Sequence, residues 1–188
     1  MKMEEEDPMS KILIVVDYQN DFVTGSMGFV GAKQIENAIY DKIQMYLENN
    51  SHIFFTMDTH DDSYKNSREG SLFPVHCRLN EEGWHLYGKV REFETLENKH
   101  IHFINKSTYG TAMLPDFIES VQEKSSIEEM ELCGVVTNIC VIANAFILQS
   151  RFFDSSIAVD SLACASFDEG MHKNALDVMS STGIKIYA

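Results

Sequence analysis

Six short runs rich in β-branched and aromatic residues alternate with segments whose apolar residues recur every three or four positions. That alternation constrains this chain more than any other feature. The strand-like runs fall at residues 11–17, 52–57, 100–105, 131–136, 156–160 and 184–187; the helix-like segments fall at 33–48, 113–123, 139–151 and 169–181. Parallel strands need crossover connections, and helices supply them here. The pattern therefore predicts an α/β fold with three α-β-α layers around a doubly wound, mainly parallel, six-stranded Rossmann-like sheet. Ligands of such sheets sit beyond the carboxyl ends of the strands.

Two strand ends carry reactive side chains. The run Ile12-Leu13-Ile14-Val15-Val16 delivers Asp17 to its carboxyl end, and Glu131-Leu132-Cys133-Gly134-Val135-Val136 runs into Thr137-Asn138-Ile139-Cys140 at the head of an apolar helix. One sheet edge would then hold a base and a thiol. The irregular segment 58–87 is long for a compact fold, and such loops are usually functional. It carries Asp58, His60, Glu69 and His76. Asp58 and His60 point the same way in extended backbone, and a folded loop could bring Glu69 and His76 to the same point. Two imidazoles and two carboxylates suit a borderline divalent ion such as zinc, iron or manganese. The plain alternative is a polar loop whose histidines and acids pair with one another.

A chain of 188 residues that is 44% hydrophobic can bury a sizeable core but is too short for two full-sized domains. One domain over 1–188 is expected, with 1–9 as a flexible acidic tail. The 29 acidic residues outnumber 15 basic ones, giving a net charge of −14. Such a surface repels phosphate, so a nucleic-acid partner is not expected and a small-molecule substrate is. The amino terminus lacks the basic and apolar regions of a signal peptide, and no apolar stretch approaches a membrane span. A cytoplasmic protein without a membrane partner is expected. The four cysteines, Cys77, Cys133, Cys140 and Cys164, show no paired spacing and read as free thiols.

Four motifs, in order, carry a resemblance over nearly the whole chain from Ile12 onward. They are Asp17-Tyr18-Gln19-Asn20-Asp21-Phe22; Asp58-Thr59-His60 with Glu69 and Leu72-Phe73-Pro74-Val75-His76; Lys106-Ser107-Thr108-Tyr109-Gly110; and Gly134-Val135-Val136-Thr137-Asn138-Ile139-Cys140-Val141. Together they resemble the nicotinamidase (pyrazinamidase) group of the isochorismatase-like cysteine hydrolases. The resemblance implies a catalytic triad of Asp17, Lys106 and Cys140. It implies an oxyanion hole made by the backbone N–H groups of Val136 and Cys140, exposed by a cis peptide between Val135 and Val136. It implies one divalent metal ion, zinc first and iron or manganese next, held by Asp58, His60, Glu69 and His76 near the pyridine nitrogen of the substrate. Isochorismatases themselves lack that ligand set. Phe22, Phe73 and Tyr109 become candidates to sandwich a flat ring, with core packing as the alternative for each.

The implied reaction is hydrolysis of nicotinamide to nicotinate and ammonia in NAD salvage, with pyrazinamide as an adventitious substrate. An amide is a poor electrophile, so the nucleophile must be strong, and a thiol of ordinary pKa about 8.5 needs activation at neutral pH. The start of a helix and a nearby Lys106 ammonium are expected to favour the thiolate of Cys140. Asp17 would take the thiol proton, pass it to the departing nitrogen, and later activate the water that hydrolyses the thioester. Another small amide, a carbamoyl or ureide compound, or a vinyl ether would be the alternative substrate; a noncatalytic binding member is the alternative of another class. Relatives often form homodimers or homotetramers.

Two positions depart from the group's pattern. Asn138 stands where many nicotinamidases have Asp, and is expected to cap the helix as Asp would. Tyr64 stands where some relatives carry a metal-binding His, which makes Glu69 the fourth ligand. Cys133, Cys77 and Cys164 are read as inert, and His52, His100, His102 and His172 as making ordinary contacts.

Overall fold

The structure, a computed structural model, describes residues 10–123 and 127–188. The expected tail at 1–9 lies outside them. In chain order the elements are β1 (Ser10–Val16), α1 (Asn20–Val23), α2 (Val30–Gln34), α3 (Glu36–Glu48), β2 (Ile53–Asp58), β3 (Ile101–Lys106), α4 (Met113–Val121) and β4 (Ile127–Val135). A π-turn (Thr137–Val141) then runs into α5 (Ile142–Arg151), followed by β5 (Ser156–Ala165), α6 (Glu169–Ser181) and β6 (Lys185–Tyr187). The strands form one sheet in the order β3-β2-β1-β4-β5-β6. Every neighbouring pair is parallel, so the sheet expected as mainly parallel is entirely so. The strand order reverses between β1 and β4. Their carboxyl ends therefore bracket the crevice where such folds bind ligands.

Burial explains why the central strands read as continuous apolar runs. Residues Ile12 to Val16 are all fully buried, as helices cover both faces of the sheet. Removing such side chains from water contributes about 1.5 to 3 kcal/mol each. The edge strand β3 instead alternates, leaving Phe103 exposed while Ile104 is buried.

Three boundaries differ from expectation. The segment 33–48 begins earlier and bends at Ile35 (φ −88°, ψ 0°), which separates α2 from α3. Just after the bend, the Glu36 side chain accepts the Lys89 N–H at 2.8 Å. Strand β4 starts at Ile127, not 131, and carries Glu129 and Glu131 into the sheet. Tertiary partners make that tolerable: Tyr46 donates to Glu131 at 2.6 Å, and Tyr187 donates to Glu129 at 2.7 Å. Strand β5 runs on to Ala165, past a register irregularity between Leu132 and Gly134 of β4.

Gly134 has φ +116°, and a Cβ there would lie 2.1 Å from the Val16 carbonyl oxygen. Only glycine lets β4 pass this close to β1 at the point where both deliver their reactive residues.

Candidate active site

Four carboxyl-terminal strand ends meet in one buried cluster. Asp17 follows β1, Asp58 ends β2, Lys106 ends β3, and Cys140 lies in the π-turn after β4. A π-turn at the head of a helix often marks a functional site. Here the Val136 carbonyl accepts from the N–H groups of Ile139 (3.0 Å) and Val141 (3.2 Å), wrapping the turn about Cys140. The peptide between Val135 and Val136 is cis.

Lys106 is the hub. Its Nζ lies 2.6 Å from Asp17 Oδ2, 3.3 Å from Asp58 Oδ1 and 3.8 Å from Cys140 Sγ, with its side chain wholly buried. Burial opposes its charge, but the carboxylates of Asp17 and Asp58 outweigh burial and hold it as the ammonium, well above its ordinary pKa. Asp17 is fully buried, and Thr56 Oγ1 donates to its Oδ1 at 2.7 Å. Burial lifts its carboxyl to about 6 against the pull of Lys106.

Opposing influences act on the Cys140 thiol. Burial pushes its thiol well above the ordinary value; Lys106 pulls it down, while Asp17 and Asp58 push it up. An anion stripped of water beside two carboxylates is not rescued by one ammonium and a short turn. Asp17 is the carboxylate in hydrogen-bonding reach of the thiol.

The second cluster is built by the long loop. His60 pairs across to the far end of its own loop: its N–H donates to the Cys77 carbonyl at 3.0 Å and its carbonyl accepts from Leu79 at 3.1 Å. That exchange sets His60 beside His76. Asp21 secures the same turn by accepting the Cys77 N–H at 2.6 Å, so it orders the loop. Asp58 Oδ2 lies 2.9 Å from His60 Nε2 and 3.0 Å from His76 Nε2. Burial opposes ionisation of Asp58, but Lys106 and the two imidazole contacts outweigh it and hold the carboxyl well below the usual range. Glu69 Oε1 is 4.0 Å from His76 Nε2.

Donor atoms of Asp58, His60, Glu69 and His76 all lie within 4.8 Å of one another. The arrangement fits a divalent ion on three grounds. The donors are the nitrogen and oxygen atoms that zinc, iron and manganese accept. The carbonyl of Pro74 takes the Nδ1 hydrogen of His76 at 2.8 Å, which leaves Nε2 for the cluster and fixes the ring. The hydroxyl of Tyr64 is buried with no hydrogen-bond partner among the described residues, and its ring packs on those of His60 (4.2 Å) and His76 (5.1 Å).

Between the clusters lies a small cavity, walled by Phe22, Phe73, Tyr109 and Val136 as well as Cys140, Asp58, Glu69 and His76. All three expected ring-binding residues reach it. Met27, Ile139 and Phe167 also line it and were not expected. Nothing local marks them; Phe167 follows β5 and meets this cavity only because β5 lies beside β4. Asn138 does not cap the helix as expected: the turn begins at Thr137 with Val136 as its cap, and the Asn138 side chain accepts from Ser166 Oγ at 2.5 Å. Cys77, Cys133 and Cys164 are all buried with thiols raised by burial, which agrees with reading them as inert.

Comparison with known proteins agrees with this fold and site. Residues 11–187 match the isochorismatase domain, and the chain belongs to that family. Within it the likeness is to nicotinamidases. The crystal structure of nicotinamidase PncA from Bacillus subtilis is 31% identical, with 96% of this chain and 100% of that chain covered and a TM-score of 0.85. The nicotinamidase of Saccharomyces cerevisiae is 26% identical over 191 residues, 80% of this chain and 86% of the yeast protein. A pyrazinamidase of Pyrococcus horikoshii in complex with zinc shares the fold at 24% identity and a TM-score of 0.78, with 94% of this chain and 98% of that chain covered.

Proposed function

We propose that this protein is an amide-hydrolysing enzyme that converts nicotinamide to nicotinate and ammonia, with Asp17, Lys106 and Cys140 as its catalytic residues. The observation that carries this reading is the position of Lys106 Nζ, 2.6 Å from a buried carboxylate and 3.8 Å from a buried thiol at the wall of a small, largely apolar cavity. The nicotinamidase relatives support the choice of amide.

In this mechanism Asp17 accepts the Cys140 proton as Sγ attacks the amide carbon, so the thiolate forms only as it is consumed. Backbone N–H groups of Val136 and Cys140 receive the oxyanion. Asp17 returns the proton to the nitrogen, the carbon–nitrogen bond breaks and ammonia leaves. Asp17 then deprotonates a water that attacks the thioester carbon, and Cys140 departs with that proton as nicotinate is released. Lys106 holds both anionic states in place. Asp58, His60, Glu69 and His76 would hold the metal, which when bound supplies a Lewis-acidic partner for the ring nitrogen. Zinc fits the donor set best, and Phe22, Phe73 and Tyr109 flank the ring. Such an activity would serve NAD salvage in the cytoplasm.

The test is ammonia release from nicotinamide, measured beside Cys140→Ala and a panel of small amides that includes pyrazinamide. Release from nicotinamide, lost in Cys140→Ala, is expected. Release only from a different amide would move the substrate; silence across the panel would sink the reading.

A further inference from the structure

Asn144 is the one polar side chain on the buried face of α5, where it lies with Ala145 and Leu148. It is fully buried one turn beyond Cys140, and asparagine is a poor choice for a helix interior unless its side chain is needed elsewhere. A buried amide must be hydrogen-bonded. All three of its contacts are to backbone. Nδ2 donates to the Cys140 carbonyl at 2.9 Å and, more weakly, to the Tyr109 carbonyl at 3.4 Å; Oδ1 accepts the Thr111 N–H at 3.1 Å. The orientation of the amide is fixed, because an N–H can only donate and a carbonyl can only accept. Gly110 permits the approach: a Cβ there would lie 2.7 Å from Ile147 Cδ1 and 3.1 Å from Ala143 on the same helix.

We infer that Asn144 is a positioning residue that clasps the segment following Lys106 to the turn that carries Cys140. This rests on the assignment of Cys140 as nucleophile. The clasp has two separable halves. Its donor half holds the turn of the nucleophile. Its acceptor half holds the Tyr109–Thr111 backbone, and with it one wall of the cavity.

Two substitutions separate the halves. In Asn144→Thr the hydroxyl can still donate to the carbonyl one turn back, but the shorter side chain no longer reaches Thr111. In Asn144→Leu, of similar volume, both halves are lost. For nicotinamide hydrolysis, Asn144→Thr is expected to keep kcat within about threefold while KM rises about tenfold; Asn144→Leu is expected to lose a further tenfold or so in kcat. Alkylation of Cys140 by iodoacetamide, followed on the Cys140 peptide by mass spectrometry, should be near normal in Asn144→Thr and about tenfold slower in Asn144→Leu.

Equal kcat, KM and alkylation in all three proteins would overturn the inference. So would a kcat loss in both variants that merely follows the folded fraction with KM unchanged. If Asn144→Leu does not fold, the KM-against-kcat split in Asn144→Thr decides. If the unaltered protein releases no ammonia from nicotinamide, the proposed substrate falls, and the alkylation contrast alone decides the role of Asn144.

Discussion

The amino-terminal half of β4 and the strand ends gathered around the turn beyond its carboxyl end both take charged side chains out of water, and they treat them differently. In the first region Lys42 lies 2.7 Å from Glu131 and 2.8 Å from Asp160, while Tyr46 donates to the remaining Glu131 oxygen at 2.6 Å. Glu129 is surrounded in the same way by Lys11, Lys185 and Tyr187. Each carboxylate there is closed off by its partners. In the second region Lys106 lies between two carboxylates and a thiol, and beside it the donor atoms of four side chains converge. Of its groups, Asp58, Glu69, His76 and Cys140 line a cavity. Burying charge is expensive in both places; one set spends it on holding strands together, the other on keeping reactive groups poised.

Lys106 and Lys42 give the sharpest way to break this comparison. Lys106→Met should lower ammonia release by on the order of 10³-fold or more, as it removes the cation that Asp17 and Cys140 share. Lys42→Met should leave kcat within about twofold but destabilise the fold by about 1 to 3 kcal/mol in denaturant unfolding, because the buried Glu131 loses its part-buried cation. If Lys42→Met were inactive yet stable, the division between the regions would fail.

A smaller effect tests the loop cluster. His60→Ala and His76→Ala should each reduce bound divalent metal below one per chain by elemental analysis, and activity by about 100-fold or more. Full metal content in both variants would show that the four side chains merely pair with one another.

Two pH dependences sharpen the contrast further. Asp17, lifted to about 6 by burial against Lys106, can accept a proton only when ionised. Activity should therefore be level above that pH and fall about tenfold per unit below it. At the amino-terminal end of the sheet, burial and then the neighbouring His102 and His100 lower His52 to about 4. An unfolded histidine binds its proton near 6.5, so the unfolded chain is favoured as pH drops from 6.5 toward 4. With partial exposure discounted, Tm should fall by about 2 to 4 °C between pH 7 and pH 5 and by less in His52→Phe.

Much of this was readable in order along the chain. The strand ends at Asp17, Asp58 and Lys106 could be placed to within a residue, because apolar runs have sharp polar limits. His52 and His102 could not be paired from sequence, although their rings meet at 2.8 Å, since β2 and β3 are brought side by side by a crossover of many residues. The early start of β4 was hidden by Glu128 and Glu129, whose charges look unlike a strand until Lys11, Lys185 and Tyr187 are placed around Glu129. Asn138 was misjudged because a cap depends on where the turn begins, and a π-turn starting at Thr137 moved that point.

By itself, the sequence determined the parallel α/β architecture, the edge at which chemistry is placed, and the four motifs whose residues gather there. The architecture and the edge follow from periodicity and residue type, which are local properties, and the four motifs from their resemblance to a known family. Only the tertiary structure decided that burial and two carboxylates act against Lys106 on the Cys140 thiol, that Asn144 ties its turn to the Tyr109–Thr111 segment, and that Met27, Ile139 and Phe167 complete the cavity. Proton affinity and cavity shape depend on which charges, carbonyls and rings are brought within a few ångströms, and that is settled by packing between segments far apart in the chain.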